Sequence, residues 1–228
     1  EINHVAVDST NDRVFVVGYD VDVGPELFAF TASDQEEIGY QPLVDDETST
    51  DIFDALPIIA TQMAAYANGT STRLFVMGAM PNDDGDLVTN RVRVFDFDGS
   101  TFTEADFSPI SLADDDATTT DESDTFSDLL VDQSLGVFYV SDATSGVVHV
   151  MAVSDGTAVV SPLDVGGEPQ GLALSDGHLY VCNSSTVAEE QVISIINTAD
   201  FTTTEIDIDA PCDLVSVDAN GTSTILLA

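Results

Sequence analysis

Five times along the chain, a short apolar run closes on a polar or aromatic residue, turns, and leads into a second run rich in β-branched and aromatic side chains. Val5-Ala6-Val7-Asp8 leads into Arg13-Val14-Phe15-Val16-Val17-Gly18, and Met63-Ala64-Ala65-Tyr66 into Arg73-Leu74-Phe75-Val76-Met77-Gly78. Leu129-Leu130-Val131-Asp132 leads into Val137-Phe138-Tyr139-Val140-Ser141-Asp142, and Leu172-Ala173-Leu174-Ser175 into Leu179-Tyr180-Val181-Cys182-Asn183. Leu214-Val215-Ser216-Val217-Asp218 opens a fifth copy. The alternation has the period of two that strands require. Third strands are expected at Glu26 to Phe30, Arg91 to Phe95, Val147 to Met151 and Gln191 to Ile195. Fourth strands are expected at Ile38 to Val44, Phe102 to Phe107, Thr157 to Leu163 and Thr204 to Ile208. Asp98-Gly99, Asp155-Gly156, Asp176-Gly177 and Asn220-Gly221 supply hairpin turns. Ile52 to Ala67 is the one stretch with room for a turn or two of helix.

Asp132, Ser175 and Asp218 stand 43 residues apart in succession. Four short strands in roughly 40–45 residues are the signature of a β-propeller blade. The fold class is therefore all-β, a propeller of four-stranded antiparallel blades in a single domain over 1–228. Blades are expected at about 1–50, 51–112, 124–165, 166–209 and, in part, 210–228. The longer spacings in the first half, 58 and 66 residues, place insertions at Asp45 to Ala60, Ala79 to Thr89 and Ala113 to Thr125. The fifth copy holds two strands of four, so the pattern predicts a fragment of a larger ring. A compact five-bladed ring is the alternative.

Charge adds a second constraint. The chain has 42 acidic residues and four basic ones, all Arg, for a formal net charge of −38. Such a field repels nucleic acid and anionic membranes and attracts cations or basic partners. The absence of Lys across an otherwise ordinary apolar core also fits a surface adapted to high salt, where screening lets acids crowd together. No run of 18 apolar residues offers a transmembrane helix.

In a propeller, the second strand of one blade ends on the face where the first strand of the next begins. Cys182 ends a second strand and Cys212 precedes the following first strand. The topology brings them together, either as an inter-blade disulfide, which suits an oxidising compartment, or as two buried thiols. The first-strand starts Asn3, Thr61, Ser127, Gln170 and Asp213 are expected around the mouth of the central channel, the usual ligand site of a propeller or simply a place for water. Asp83, Asp84 and Asp86, in a Gly-containing loop, are candidate ligands for Ca²⁺ without matching the full EF-hand pattern. Asn68, Asn183 and Asn220 begin Asn-X-Ser/Thr sequons that allow N-glycosylation, although Asn68 and Asn220 also sit in Asn-Gly turns. His4, His149 and His178 adjoin no nucleophile motif or metal-spaced partner in the sequence.

The run Leu163-Asp164-Val165-Gly166-Gly167-Glu168-Pro169-Gln170-Gly171-Leu172-Ala173-Leu174-Ser175-Asp176-Gly177-His178-Leu179-Tyr180-Val181-Cys182-Asn183 resembles the YVTN-type propeller repeats of surface-layer and periplasmic proteins. The resemblance extends over residues 124–228; the first 110 residues share only the strand pattern. It implies a propeller that is exported, with no agreed catalytic site. The leading expectation is a non-enzymatic extracellular, cell-surface or periplasmic module. Its partners would be other protein chains at the cell surface, or its own copies in self-assembly. One alternative is a calcium-dependent lactonase-like hydrolase using Glu168, Asn183 and Asp213 at the channel mouth. A small-ligand carrier or sensor is the other.

The charge generates one direct expectation. Self-repulsion among 42 acids should be relieved by salt. The thermal midpoint should rise by several degrees between dilute buffer and molar salt, and calorimetry in the two solvents checks it.

Overall fold

The computed structural model describes residues 2–20, 22, 24–43, 59–81, 87–112, 125–184, 192–208, 212, 216–219 and 224–227. The chain divides into two compact units, Glu1–Ser123 and Asp124–Ala228. Among the described residues every regular element is a strand. In the first unit, β1 (Ile2–Asp8), β2 (Arg13–Asp20), β3 (Gly24–Thr31) and β4 (Glu37–Pro42) form an antiparallel sheet in chain order. A second sheet has β5 (Ile59–Asn68), β6 (Ser71–Pro81), β7 (Leu87–Phe97) and β8 (Phe102–Glu104), with β9 (Ile110–Ser111) also paired to β7. In the second unit, β10 (Phe126–Asp132), β11 (Val137–Asp142), β12 (Val147–Ala152) and β13 (Leu163–Asp164) make the third sheet. The fourth has β14 (Pro169–Ser175), β15 (His178–Asn183), β16 (Val192–Asn197) and β17 (Thr203–Asp207). A hairpin of β18 (Ser216–Ala219) and β19 (Thr224–Leu227) follows.

The turns explain the registers. Asp8 accepts hydrogen bonds from the Thr10 and Asn11 amides, and Asp132 accepts from Ser134 and Leu135, so each carboxylate folds the chain back on itself. Asp176 and Gly177 both have positive φ, the geometry of a tight two-residue hairpin turn, and they pair Ser175 with His178. These turns place Arg13, Val137 and His178 opposite the last residue of their first strands and Arg73 opposite Tyr66, two residues before the end of β5, all at equivalent positions of the repeat.

Alternation then sends each second strand's side chains to both faces of its sheet, and both sets are apolar. In the first unit, Ala6, Phe15, Val17, Leu27 and Ala29 of one sheet cluster with Met63, Leu74, Val76 and Phe95 of the other. The Phe15 ring meets Phe97 edge-on at 5.6 Å, and Phe97 meets Phe102 at 4.5 Å. Gly39 makes room for this packing, because a Cβ there would stand 2.5 Å from Phe97 Cε2. A polar seam closes the same contact. Arg13 donates to Thr72 Oγ1 at 2.9 Å and to the Thr70 carbonyl at 2.8 Å, while Thr72 donates to Asp8 at 2.5 Å. Arg93 reaches the Leu43 carbonyl at 2.9 Å and pairs with Glu104.

The second unit repeats the scheme. Tyr139, Val148, Val150 and Val165 pack on Leu172, Leu179, Val181 and Ile196. The opposite face of the fourth sheet, with Ala173, Cys182 and Ile193, meets Cys212. Cys182 and Cys212 are a disulfide with Cα atoms 5.4 Å apart, the bridge rather than the thiol pair of the two sequence alternatives.

Some elements differ from expectation. The span Ala79 to Thr89, read as a loop, is strand over most of its length, since pairing continues from Ala79–Thr89 to Pro81–Leu87 after a register shift at Gly78. The stretch with room for helix contains β5 from Ile59, and 52–58 lie outside the described residues. The third sheet's last strand is two residues, Leu163–Asp164, preceded by a single bridge between Met151 and Ala158. Thr157 and Val159 still bond Ala152 and Val150 of β12, and Pro162, which has no N–H to donate, interrupts the pairing before Leu163. In the second sheet β8 stops at Glu104, and Ile110–Ser111 pairs with an earlier part of β7.

Candidate functional site

Each of the four sheets has a register shift near the start of its first strand: between Ile2 and His4, Ala60 and Gln62, Phe126 and Asp128, and Pro169 and Leu172. The residues inside these bulges are Asn3, Thr61, Ser127 and Gln170, four of the five positions the sequence assigns to a channel mouth. A bulge re-aims the side chains around it. Here it turns some of them toward the neighbouring sheet. Ser127 Oγ donates to the Pro169 carbonyl at 2.5 Å, and Ser141 Oγ donates to the Gln170 carbonyl at 3.2 Å. Asp128, next after Ser127, accepts from the Leu172 amide at 2.7 Å and from its neighbour Leu129 at 2.8 Å. In the first unit, His4 takes the place equivalent to Asp128 and bonds the Thr61 backbone; burial is the larger influence and holds its pKa below the ordinary value. Thr61 donates to the Met77 carbonyl at 3.4 Å. The residue after the bulge therefore clasps the next first strand in both units.

The second unit also has an open polar pocket of about 680 Å³, lined by Thr125, Thr144, Gly167, Glu168 and Gln170 among others. Glu168 is exposed and Gln170 half-buried. The lining offers hydroxyls, a carboxylate and an amide, groups that bind small polar or cationic ligands. Asp128 itself is largely removed from water. Desolvation pushes its pKa from 3.8 to about 6, although the Leu172 and Leu129 amides pull the other way.

Asn183 is fully buried. Its amide donates to the Val165 carbonyl and to Ser194 Oγ, and its Oδ1 has no hydrogen-bond partner among the described residues. Asn183 pairs with Pro169 beside Glu168 on the strand, but its side chain turns inward and the Glu168 side chain outward. Asn68 is exposed at the β5–β6 turn. Asp213, Asn220, Asp83, Asp84 and Asp86 lie outside the described residues. Among the described residues no group of three His, Cys, Asp or Glu stands close enough to hold a metal.

One pair escaped the sequence reading. His149 Nε2 stands 3.6 Å from Asp142 Oδ2, with both residues largely buried. Burial works to raise the Asp142 carboxyl, and His149 and the Ser145 bonds outweigh it and hold it below its usual value. The signal available was Asp142 closing one strand while His149 interrupts the apolar alternation of the next.

No family model and no curated protein sequence matches this chain. Solved structures do. The chain is similar to the β-propeller domain of Cps50 (Swd1) from Myceliophteria thermophila, with a TM-score of 0.58 at 7% identity over 99% of this chain and 57% of that one. It is similar to the dihydro-heme d1 dehydrogenase NirN, with a TM-score of 0.61 at 15% identity over 97% and 41%. Apo AztD from Citrobacter koseri gives 0.54 at 15% identity over 94% and 49%. The chain thus spans about half the length of the structures it matches. At these identities the likeness establishes the β-propeller type of fold and nothing about activity.

Asp128 gives the site a pH signature. Its folded pKa is raised, so the fold binds this proton more tightly than the unfolded chain does. Its contribution to stability must fall as pH rises from about 4 to about 6, and stay lower above that. Asp128→Asn removes the charge, and the lost acceptor adds an offset with no slope. Relative to wild type, the variant should gain about 2 kcal/mol between pH 4 and pH 7. Urea titrations at both values check this; parallel curves would refute it.

Proposed function

We propose that this chain is part of an exported β-propeller that works as a non-enzymatic structural and binding module, at a cell surface or in the periplasm, as the YVTN-type resemblance implies. The observation that carries the reading is the Cys182–Cys212 disulfide, which ties the fourth sheet to the segment preceding β18. A buried cross-link between successive blades suits an oxidising compartment. The acidic surface favours cationic or basic partners over nucleic acid. The polar pocket around Glu168 and Gln170 is the ligand site of this reading, with a small polar or cationic molecule as its occupant.

The disulfide closes a sequence separation of 30 residues, for which loss of the bridge costs about 2–4 kcal/mol. The protein made in an oxidising compartment should be fully bridged by mass spectrometry, and Cys182→Ser with Cys212→Ser should unfold at correspondingly lower urea. A reduced wild-type protein of undiminished stability would contradict the export reading. A screen of small amines and polyols by thermal shift tests the pocket. Any shift should vanish in Glu168→Ala while the unliganded midpoint stays in place.

A further inference from the structure

Each unit carries one seam between its two four-stranded sheets, and the two seams are built from different residues at equivalent positions. By hairpin register Arg13 is equivalent to Val137 and Phe15 to Tyr139, while Thr72 is equivalent to Gly177 and Phe97 to Thr198. In the first unit these positions hold a closed polar relay. Asp8 Oδ2 accepts from Asn11 Nδ2 at 2.8 Å and from Thr72 Oγ1 at 2.5 Å. Arg13 donates to Thr72 Oγ1 at 2.9 Å and to the Phe97 carbonyl at 3.3 Å. A positive charge thus stands one hydroxyl away from the buried carboxylate. In the second unit Asp132 is as buried as Asp8, at 4% exposure against 3%. Its Oδ1 takes all the turn bonds, from the Ser134 amide and hydroxyl and the Leu135 amide. The side chains that serve Asp8 Oδ2 have no counterpart: Leu135 stands for Asn11, Gly177 for Thr72 and Val137 for Arg13. Among the described residues nothing donates to Asp132 Oδ2.

Two further oxygens of this seam are unengaged. Tyr139 is fully buried, and its hydroxyl, which Phe15 lacks, has no hydrogen-bond partner among the described residues. Val137 and Tyr139 cluster with Leu179 and Ile196, so the ring enters the contact with the fourth sheet. Burial first and the Asp132 charge second raise the phenol's pKa, so the carboxylate stands within electrostatic reach of the hydroxyl. Thr198 is buried too. Its amide and hydroxyl both bond the Gly177 carbonyl, and its own carbonyl accepts nothing among the described residues, where that of Phe97 accepts Arg13. A buried carboxylate without a countercharge is costly, and a neutral donor leaves that charge uncompensated. We propose that the seam between the third and fourth sheets binds an alkali cation, Na⁺ or K⁺, through Asp132 Oδ2, the Tyr139 hydroxyl and the Thr198 carbonyl, in the role that the Arg13 guanidinium has in the first unit. Hard cations take oxygen ligands, and one carboxylate with neutral oxygens matches a single positive charge. Water completes the shell from the side of Gly177, which is exposed. The proposal rests on the repeat equivalence and is independent of export and of the polar pocket.

The test compares thermal midpoints in NaCl, KCl and tetramethylammonium chloride at equal concentration. All three salts screen the surface acids alike, whereas tetramethylammonium is too large for the seam and takes no oxygen ligands. The wild-type midpoint should stand several degrees higher in at least one alkali salt, and the salt that does so identifies the ion. Tyr139→Phe installs the residue the first unit uses at this position and should lose more than half of that advantage. Asp132→Asn should lose nearly all of it. Asp155→Asn, at an exposed turn, should keep it. An advantage unchanged in both seam variants would overturn the proposal, since the ions would then act on the acidic surface at large. Equal wild-type midpoints in the three salts would overturn it too. A crystal structure of the wild type grown in the stabilising salt reads the site without any variant. It should show an atom joining these oxygens with about five or six oxygen neighbours. An atom with about three neighbours at hydrogen-bond lengths is a water, and that result would also overturn the proposal.

Discussion

A strand that is apolar on both sides loses stability in a single sheet with one face in water. Phe15 and Val17 point one way and Val14 and Val16 the other, and the same holds for Leu74 to Met77 and Leu179 to Cys182. Burying a side chain of this size is worth about 1.5–3 kcal/mol, so a bare face forfeits several such contributions. Within each unit the sheets therefore stack face to face. The blade series, the turns that keep its register and the seams between sheets all serve that requirement.

The polar groups admitted to these seams are few and spent locally. Of the four arginines, Arg13 and Arg93 are buried and reach carbonyls of the neighbouring sheet, and Arg73 pairs with Asp96 at 2.7 Å within its own. In a chain this acidic, these cations are kept for places where a guanidinium satisfies buried carbonyls or a paired carboxylate. In the second unit neutral and acidic groups fill the same role: Ser194 reaches the Val165 carbonyl as Arg93 reaches that of Leu43, and Asp128 holds the Leu172 amide. The clasp geometry is shared and its chemistry varies. Asp128 carries a cost for its place, visible in its raised pKa.

The second strands, their turns and the disulfide were legible in the sequence because each depends on local pattern or on topology alone. Asp8 and Asp132 announce turns by their own hydrogen bonding, and Cys182 and Cys212 meet because the blade order requires it. The last strand of each blade was not legible to the residue. It is an edge, and pairing between Ala158 and Leu163 is interrupted at Pro162 whatever the alternation. The first-strand starts were legible as positions but not in their role. Ser127 and Asp128 spend their oxygens on the following sheet, and no sequence pattern within β10 names Pro169 or Leu172 as partner. Asn183 reads as a sequon, yet its amide is buried among Val165 and Ser194.

The stacking requirement is tested most directly by placing an Asp at equivalent positions of successive second strands and measuring urea stability in high salt. Val76→Asp and Val181→Asp put an unpaired charge into a closed contact and should each cost about 3 kcal/mol or more. Val16→Asp, at a half-buried position of the first sheet, should cost clearly less than either. Equal losses at all three sites would contradict the account, because the fold would then not depend on which faces are covered.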